Sequence, residues 1–296
     1  VVLNGIISAS GVARGTFAGC GAGGGVEVWC KTISGSGVLM ANGGSYSIGG
    51  GGGRLAVMYD PAAQAATNKP TGVIAAAGGA SSRADAVAGD IGSLYFPDTQ
   101  FLNGPMCLTG QWFCAGFTTN LTVNILLVTN TSWIRLPQAG LMLNVTNDIV
   151  VAGNSKLEIG PDAYMGASAN SALHFALCQN SSNASVVAVG GDVSVAGGSQ
   201  LKLFGSLTNS EPPDYGLLIA VDGDVTVANN GYIYCIAQIT NGGAPLLRVQ
   251  NLNVATGGWI NADGYGFMAT TGPGAGGNAS GGGYGGQGGG AAGGAI

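Results

Sequence analysis

The chain has 296 residues, a net charge of −5 and 8% charged residues, against roughly 25% in an ordinary globular domain. It carries 57 glycines and still 46% hydrophobic residues. The aliphatic content argues against a wholly disordered low-complexity chain. The lack of a basic patch argues against a nucleic-acid partner, and no apolar run approaches the ~18 residues of a membrane span. No initiator Met or signal peptide precedes Val1, so the chain reads as a processed or excised segment.

Residues 1–80 alternate short apolar edges with glycine runs. Val1-Val2-Leu3 and Ile6-Ile7 open the chain, and Val26-Glu27-Val28 follows the first glycines. A six-residue step joins Ile33 to Leu39. Gly53-Arg54-Leu55-Ala56-Val57 follows the longest glycine run, and Val73-Ile74-Ala75-Ala76-Ala77-Gly78 closes the segment. Glycine turns through positive φ without a Cβ clash. The runs are therefore expected to be extended loops or sharp corners that project from the fold.

Residues 81–260 hold a regular repeat. The same six-residue step joins Val128 to Ile134, Val151 to Leu157, Val195 to Leu201, Val227 to Ile233 and Val254 to Ile260. Upstream, Leu143, Val145, Ile149 and Val151 correspond to Val187, Val189, Val193 and Val195, and again to Ile219, Val221, Val225 and Val227. Apolar and polar residues alternate at period two, which means strand, and the small bridges Ala152-Gly153-Asn154, Ala196-Gly197-Gly198 and Ala228-Asn229-Asn230 mean tight turns. A short strand pair cannot bury its apolar face, whereas stacked units can. The expected fold is all-β: one elongated domain over residues 1–296, a single-stranded parallel β-helix (β-solenoid), right-handed by the strand-connection rule. The long gap between Val151 and Val195 is expected to hide an extra partial coil near residues 172–178. Residues 261–296 form a glycine-rich C-terminal segment.

The strand "GVLMANGG" followed by "GGGGGRLAVMYD", and "GWINADGYG" with "GGGYGGQGGGAAGGAI", resemble large glycine-rich extracellular β-solenoid proteins, which are fibre-forming or adhesin-like. The resemblance covers roughly residues 1–80 and 255–296. It implies a secreted or cell-surface location and carries over no catalytic residue.

The ends are read as two halves of one unit. Gly294, Ala295 and Ile296 begin a strand that Val1, Val2, Leu3 and Ile6 continue, so these residues are the expected contacts of a head-to-tail homopolymer. Six N-x-S/T sequons, at Asn120, Asn130, Asn144, Asn180, Asn183 and Asn278, exceed the about three that chance predicts. They are expected to carry covalent N-glycans. Six cysteines at local spacings suit disulfides. Cys20 with Cys30 and Cys107 with Cys114 would close short loops and leave Cys178 with Cys235; other pairings stay open.

No cofactor is expected. Asp148, Asp192 and Asp224 recur at one place in three units, with Asn251 in the next. Such a column serves as a turn ladder, as a calcium site or as a glycosidase pair, and the turn ladder is favoured. Lys156 and Lys202 read as isolated, and the single His174 completes no triad. Trp133, Tyr232 and Trp259 fall at equivalent outward positions, a row fit to contact sugar rings or another subunit. The reading is a structural filament subunit with no enzymatic role. The alternatives are a carbohydrate-binding adhesin segment and a polysaccharide-active enzyme.

Overall fold

The computed structural model describes all residues except 14, 16, 17, 84, 85, 87, 117, 118, 139, 161–183, 209–213, 268–271 and 276–296. The described chain is nearly all β, in parallel sheets. In the first third, strands β1 (Ile6–Ser8), β2 (Gly25–Trp29), β3 (Val38–Met40) and β4 (Arg54–Met58) are followed by a one-turn helix, α1 (Pro61–Ala65). Then come β5 (Val73–Ala75), β6 (Ser93–Phe96) and the long β7 (Cys107–Cys114). The odd strands stack as β1-β3-β5 and the even ones as β2-β4-β6. Both ladders end on β7: β5 pairs with its first residues and β6 with its last.

Between the two ladders lie the glycine runs, and they are not projecting loops. Residues 9–12, 41–44 and 76–79 form one row and residues 21–24, 49–53 and 89–92 a second, packed against the first. The amides of Gly50 and Gly53 both donate to residues 41–44, at 2.9 and 2.7 Å. Those of Gly21 and Gly24 both donate to residues 9–12, and those of Gly89 and Gly92 to residues 76–79. Donors three apart share a neighbour, while Gly23 and Gly52, between them, donate to Gly51 and Asp90 one layer on. This is the three-residue period of the polyproline II helix, not the period two of a strand. It lets one segment bond to several neighbours.

The close approach explains the composition. A Cβ on Gly53 would lie 2.0 Å from the Gly24 carbonyl oxygen, and one on Gly92 1.9 Å from that of Gly53. Only glycine fits between backbones this near. Gly43, Gly44, Gly50 and Gly53 are buried, so the runs are core and the expectation of loops is corrected.

The centre is built differently. Each turn of the chain lays one strand on each of three faces. The first layer is β8 (Asn120–Val123), β9 (Leu126–Val128) and β10 (Trp133–Leu136); the second is β11 (Met142–Val145), β12 (Ile149–Val151) and β13 (Lys156–Ile159). The third is β14 (Ser185–Val189), β15 (Val193–Val195) and β16 (Gln200–Phe204). The fourth is β17 (Leu217–Val221), β18 (Asp224–Val227) and β19 (Tyr232–Ile236), and the fifth β20 (Pro245–Arg248), β21 (Asn251–Val254) and β22 (Trp259–Asn261). Among the described residues these make two five-stranded sheets, and a third sheet of twelve strands that continues through β7 into the first third.

The period-two pattern sets the register. Leu121, Leu143, Val187 and Ile219 stack inward on one face, Val128, Val151, Val195 and Val227 on the next, and Ile134, Leu157, Leu201 and Ile233 on the third. All are buried, each worth about 1.5–3 kcal/mol of apolar transfer. The six-residue step spans the corner between the second and third faces. Its third residue has positive φ in every layer: Thr131, Asn154, Gly198, Asn230 and Gly257, between +57° and +78°. The fourth is small because the backbone below is close; a Cβ on Gly231 would lie 2.7 Å from the Val195 carbonyl oxygen.

β11, β12 and β13 bond directly to β14, β15 and β16; the extra partial coil expected near residues 172–178 lies outside the described residues.

Replacing Gly92 with Ala forces a Cβ against a backbone carbonyl and is expected to destabilise by about 1–3 kcal/mol or more. Gly5, where an added Cβ would have nothing within 4 Å, is the control, expected to change by less than about 0.5 kcal/mol. Urea unfolding of the two variants checks the difference.

Candidate functional site

Among the described residues, the inward ladders are exposed in the first and last layers. Val225, Val227 and Ile233 in the fourth layer are 0–1% exposed, whereas their partners one layer on, Leu252, Val254 and Ile260, are 51%, 40% and 37% exposed. At the other end Leu39 is fully buried and its partner Ile7 is 39% exposed. Val1, Val2 and Ile6, predicted as contacts, are exposed there too. Leu3 is half-buried, its amide 2.8 Å from the Ser34 carbonyl oxygen. Gly294, Ala295 and Ile296 lie outside the described residues.

The outer faces carry the other candidates. Asn120 and Asn144 are exposed on neighbouring strands of one face, two residues apart in register. Asn130 is exposed at a corner, φ +57°, with its side-chain amide on the Pro105 carbonyl oxygen at 2.8 Å. Asn180, Asn183, Asn278 and His174 lie outside the described residues.

The aspartate column is a hydrogen-bonded ladder. The Asp148 carboxylate accepts the Asp192 amide at 2.9 Å, the Asp192 carboxylate accepts the Asp224 amide at 2.8 Å, and Asn251 donates its side-chain amide to Asp224 at 2.7 Å. The residue before each upper aspartate must then be glycine. A Cβ on Gly191 or Gly223 would lie 2.1 Å from the carboxylate below. Asp148 has no aspartate beneath it, and Asn147 precedes it; Asn251 meets Asp224 through its side chain, and Gln250 precedes it. The Asp148 and Asp192 carboxylates face backbone amides along the stack, and that of Asp224 faces the Asn251 side-chain amide. Among the described residues no three His, Cys, Asp or Glu side chains converge as metal ligands.

A second cluster escaped the sequence reading. Arg135 is buried, with its guanidinium 2.9 and 3.0 Å from both Asp90 oxygens and 2.8 Å from Glu158. Lys202 stands 3.4 Å from the other Glu158 oxygen, so it is not isolated. Asp90 belongs to the last glycine row, where its carbonyl accepts the Gly52 amide. The cluster therefore ties the glycine rows to the three-faced stack. Lys156 is not isolated either: its ammonium lies 4.6 Å from the centre of the Trp133 ring. Burial, and secondarily the Lys202 charge, pull its pKa below the usual lysine range.

Trp133, Lys156, Gln200, Tyr232 and Trp259 follow one another on the outer face as predicted. Tyr232 stacks on Tyr234, 5.8 Å between centroids, and Trp259 is more than half exposed.

The predicted local disulfides are corrected. The five described cysteines are free. Cys107 and Cys114 stand at opposite ends of β7, about 23 Å apart at the strand rise, where a disulfide needs Cα atoms within about 7 Å. Cys20 bonds beside Ile48 and Cys30 beside Met58, the two ends of one extended run. Cys178, the proposed partner of Cys235, lies outside the described residues. Burial raises the Cys114 and Cys235 thiol pKa values.

No helix among the described residues is long and apolar enough to cross a membrane. The chain matches no protein-family model, no curated protein and no solved structure.

The ladder predicts non-additive costs. Gly223→Ala alone, and Asp192→Ala alone, are each expected to cost about 1 kcal/mol or more. In the double variant the clash with the carboxylate is gone and the contact with the Gly191 carbonyl oxygen at 2.7 Å remains, so the double variant is expected to cost less than the sum of the two single variants by at least about 0.5 kcal/mol. A double-mutant cycle by chemical denaturation measures it, and strict additivity would contradict the ladder.

Proposed function

We propose that the chain is a structural subunit of an extracellular, N-glycosylated filament, a parallel β-solenoid whose copies stack head to tail. The observation that carries this reading is the pair of open ends. Inward ladder positions that are buried in every inner layer stand exposed in the first and last described layers, and unpaired strand edges recruit further strands. A contact between two unlike ends does not close, so it propagates. The glycine-rich β-solenoid resemblance, the low charge and the sequon number support a secreted location. Glycans at Asn120 and Asn144 would project from one flank and hinder side-by-side sheet contact, leaving the axis free. The right-handed winding of parallel crossovers is part of the same reading. No catalytic role belongs to it.

A second reading has one observation in its favour. The exposed Trp259 closes an outward row with Tyr232 and Trp133, a surface suited to sugar rings. In that reading the chain is a carbohydrate-binding segment of an adhesin, and a glycan array gives the discriminating signal.

Light scattering over rising concentration, followed by negative-stain microscopy, tests the filament. The expected result is mass that grows with concentration and unbranched fibres with an axial repeat of roughly 45 Å, set by about nine layers at ~4.8 Å. Leu252→Glu, at an exposed ladder position, is expected to raise the concentration needed for assembly at least about tenfold with little change in subunit stability. A monodisperse monomer at high concentration would overturn the reading.

A further inference from the structure

Among the described residues the second glycine row ends at residues 21–24. In two columns of the second row, Gly92–Gly53–Gly24 and Gly89–Gly50–Gly21, each absent Cβ points at the layer below. For Gly92 and Gly53 it would meet the carbonyl oxygen beneath at 1.9 and 2.0 Å, and for Gly89 and Gly50 at 1.9 and 2.1 Å. Glycine is obligatory at these four positions. Gly24 and Gly21 occupy the same places in the first layer, where the nearest atoms are Ala9 O at 3.3 Å and Val12 N at 3.2 Å. The isolated subunit has room for alanine at both, with a few tenths of an ångström of adjustment, and yet glycine stands there.

The hydrogen bonds say the same. The Gly51 and Asp90 carbonyls accept the Gly23 and Gly52 amides from the layer below. The equivalent carbonyl of the first layer, that of exposed Ala22, accepts no bond among the described residues. The first row ends in the same way, since the Asn42 and Ala77 carbonyls accept the Gly11 and Gly43 amides from the layer below and the equivalent Ser10 carbonyl accepts no bond among the described residues. Its downward position, glycine at 44 and 79, is Val12, which is 68% exposed. Among these downward positions the first layer keeps glycine only at Gly21 and Gly24.

The order of the sequence names the occupant. In each of the three glycine layers a strand of the form Ile7-x-Ala9-x-Gly11 precedes the rows: Leu39-x-Ala41-x-Gly43 and Ile74-x-Ala76-x-Gly78 are the other two. The pattern recurs once more, on β22 at the opposite end, as Ile260-x-Ala262-x-Gly264. Glycine-rich sequence follows it: Gly281-Gly282-Gly283-Tyr284-Gly285-Gly286-Gln287-Gly288-Gly289-Gly290. We propose that the glycine-rich residues 276–296 of a second copy pack against residues 21–24, so that the glycine rows run on across the junction between subunits. This rests on the head-to-tail reading and specifies its contact.

The test uses the full chain and three variants. Gly24→Ala is expected to leave the melting temperature of the dilute subunit within about 2 °C and to raise the assembly concentration at least about tenfold. Gly282→Val with Gly286→Val and Gly289→Val in the same chain is expected to do likewise. Gly53→Ala is the control for lost glycine packing and should lower the melting temperature of the dilute subunit. Undiminished assembly by either Gly24→Ala or the triple variant overturns the proposal while leaving the filament standing. A triple variant that melts as early as Gly53→Ala places the segment against its own subunit and overturns it as well. A wild-type chain that never assembles removes the filament reading itself.

Discussion

One constraint governs this molecule: backbones approach one another along the stacking axis more closely than a Cβ permits. A Cβ added at Gly53 or Gly92 would lie 2.0 or 1.9 Å from the next carbonyl oxygen, well inside any carbon–oxygen contact. Glycine is disfavoured in regular structure because it loses the most conformational freedom on folding. Here that cost is offset by hydrogen bonds to several neighbours from each short segment. The rows lie beside a side-chain core that the first third also has, with Ile33, Leu39, Leu55, Val57, Ile74 and Leu94 buried. The same rule recurs in the centre, where Gly191 and Gly223 clear space for the Asp148 and Asp192 carboxylates and Gly231 clears space for a carbonyl.

The two kinds of cross-section are joined at one place. β7 receives both outer ladders, and Asp90, Arg135 and Glu158 bind the last glycine row to the third face of the central stack. A buried ion network is costly to desolvate, and losing one partner strands the others. Its placement at the change of architecture fits a role in fixing the register of one half on the other. Arg135 accounts for one of only nine basic residues, so the chain's scarce charge is spent on an internal joint.

The central layers were legible because their signals are local. Period-two alternation sets the inward ladders, and a corner that demands positive φ selects Asn and Gly. Thr131 is the exception: a β-branched residue at φ +59°, which no propensity rule would choose. The aspartate column and the outward Trp133–Tyr232–Trp259 row were legible for the same reason. The glycine rows were not, since a packed polyglycine segment and a flexible linker share one composition. Their distinguishing mark is a set of partners some 30 residues away. The helix α1 had a readable start in Asp60-Pro61, and its Gln64 side chain bonds to both the amide and the carbonyl of Ile33. Even cysteine number proved a poor guide to pairing, because extended strands hold near neighbours in sequence far apart in space. Arg135 and Asp90 lie 45 residues apart and carry no motif.

The proposed junction between subunits depends on the glycine rows being core rather than loop, since the end of those rows is the surface on which it builds. Amide hydrogen exchange of the native, dilute subunit, read by NMR at Gly43, Gly44, Gly50, Gly52, Gly53, Gly79, Gly89 and Gly92, addresses this directly. Each of these amides donates to a backbone carbonyl at 2.6–2.9 Å. The account predicts protection at these glycines as strong as at Leu157 and Leu201 in the central strands. Exchange at the rate of an open loop would contradict it.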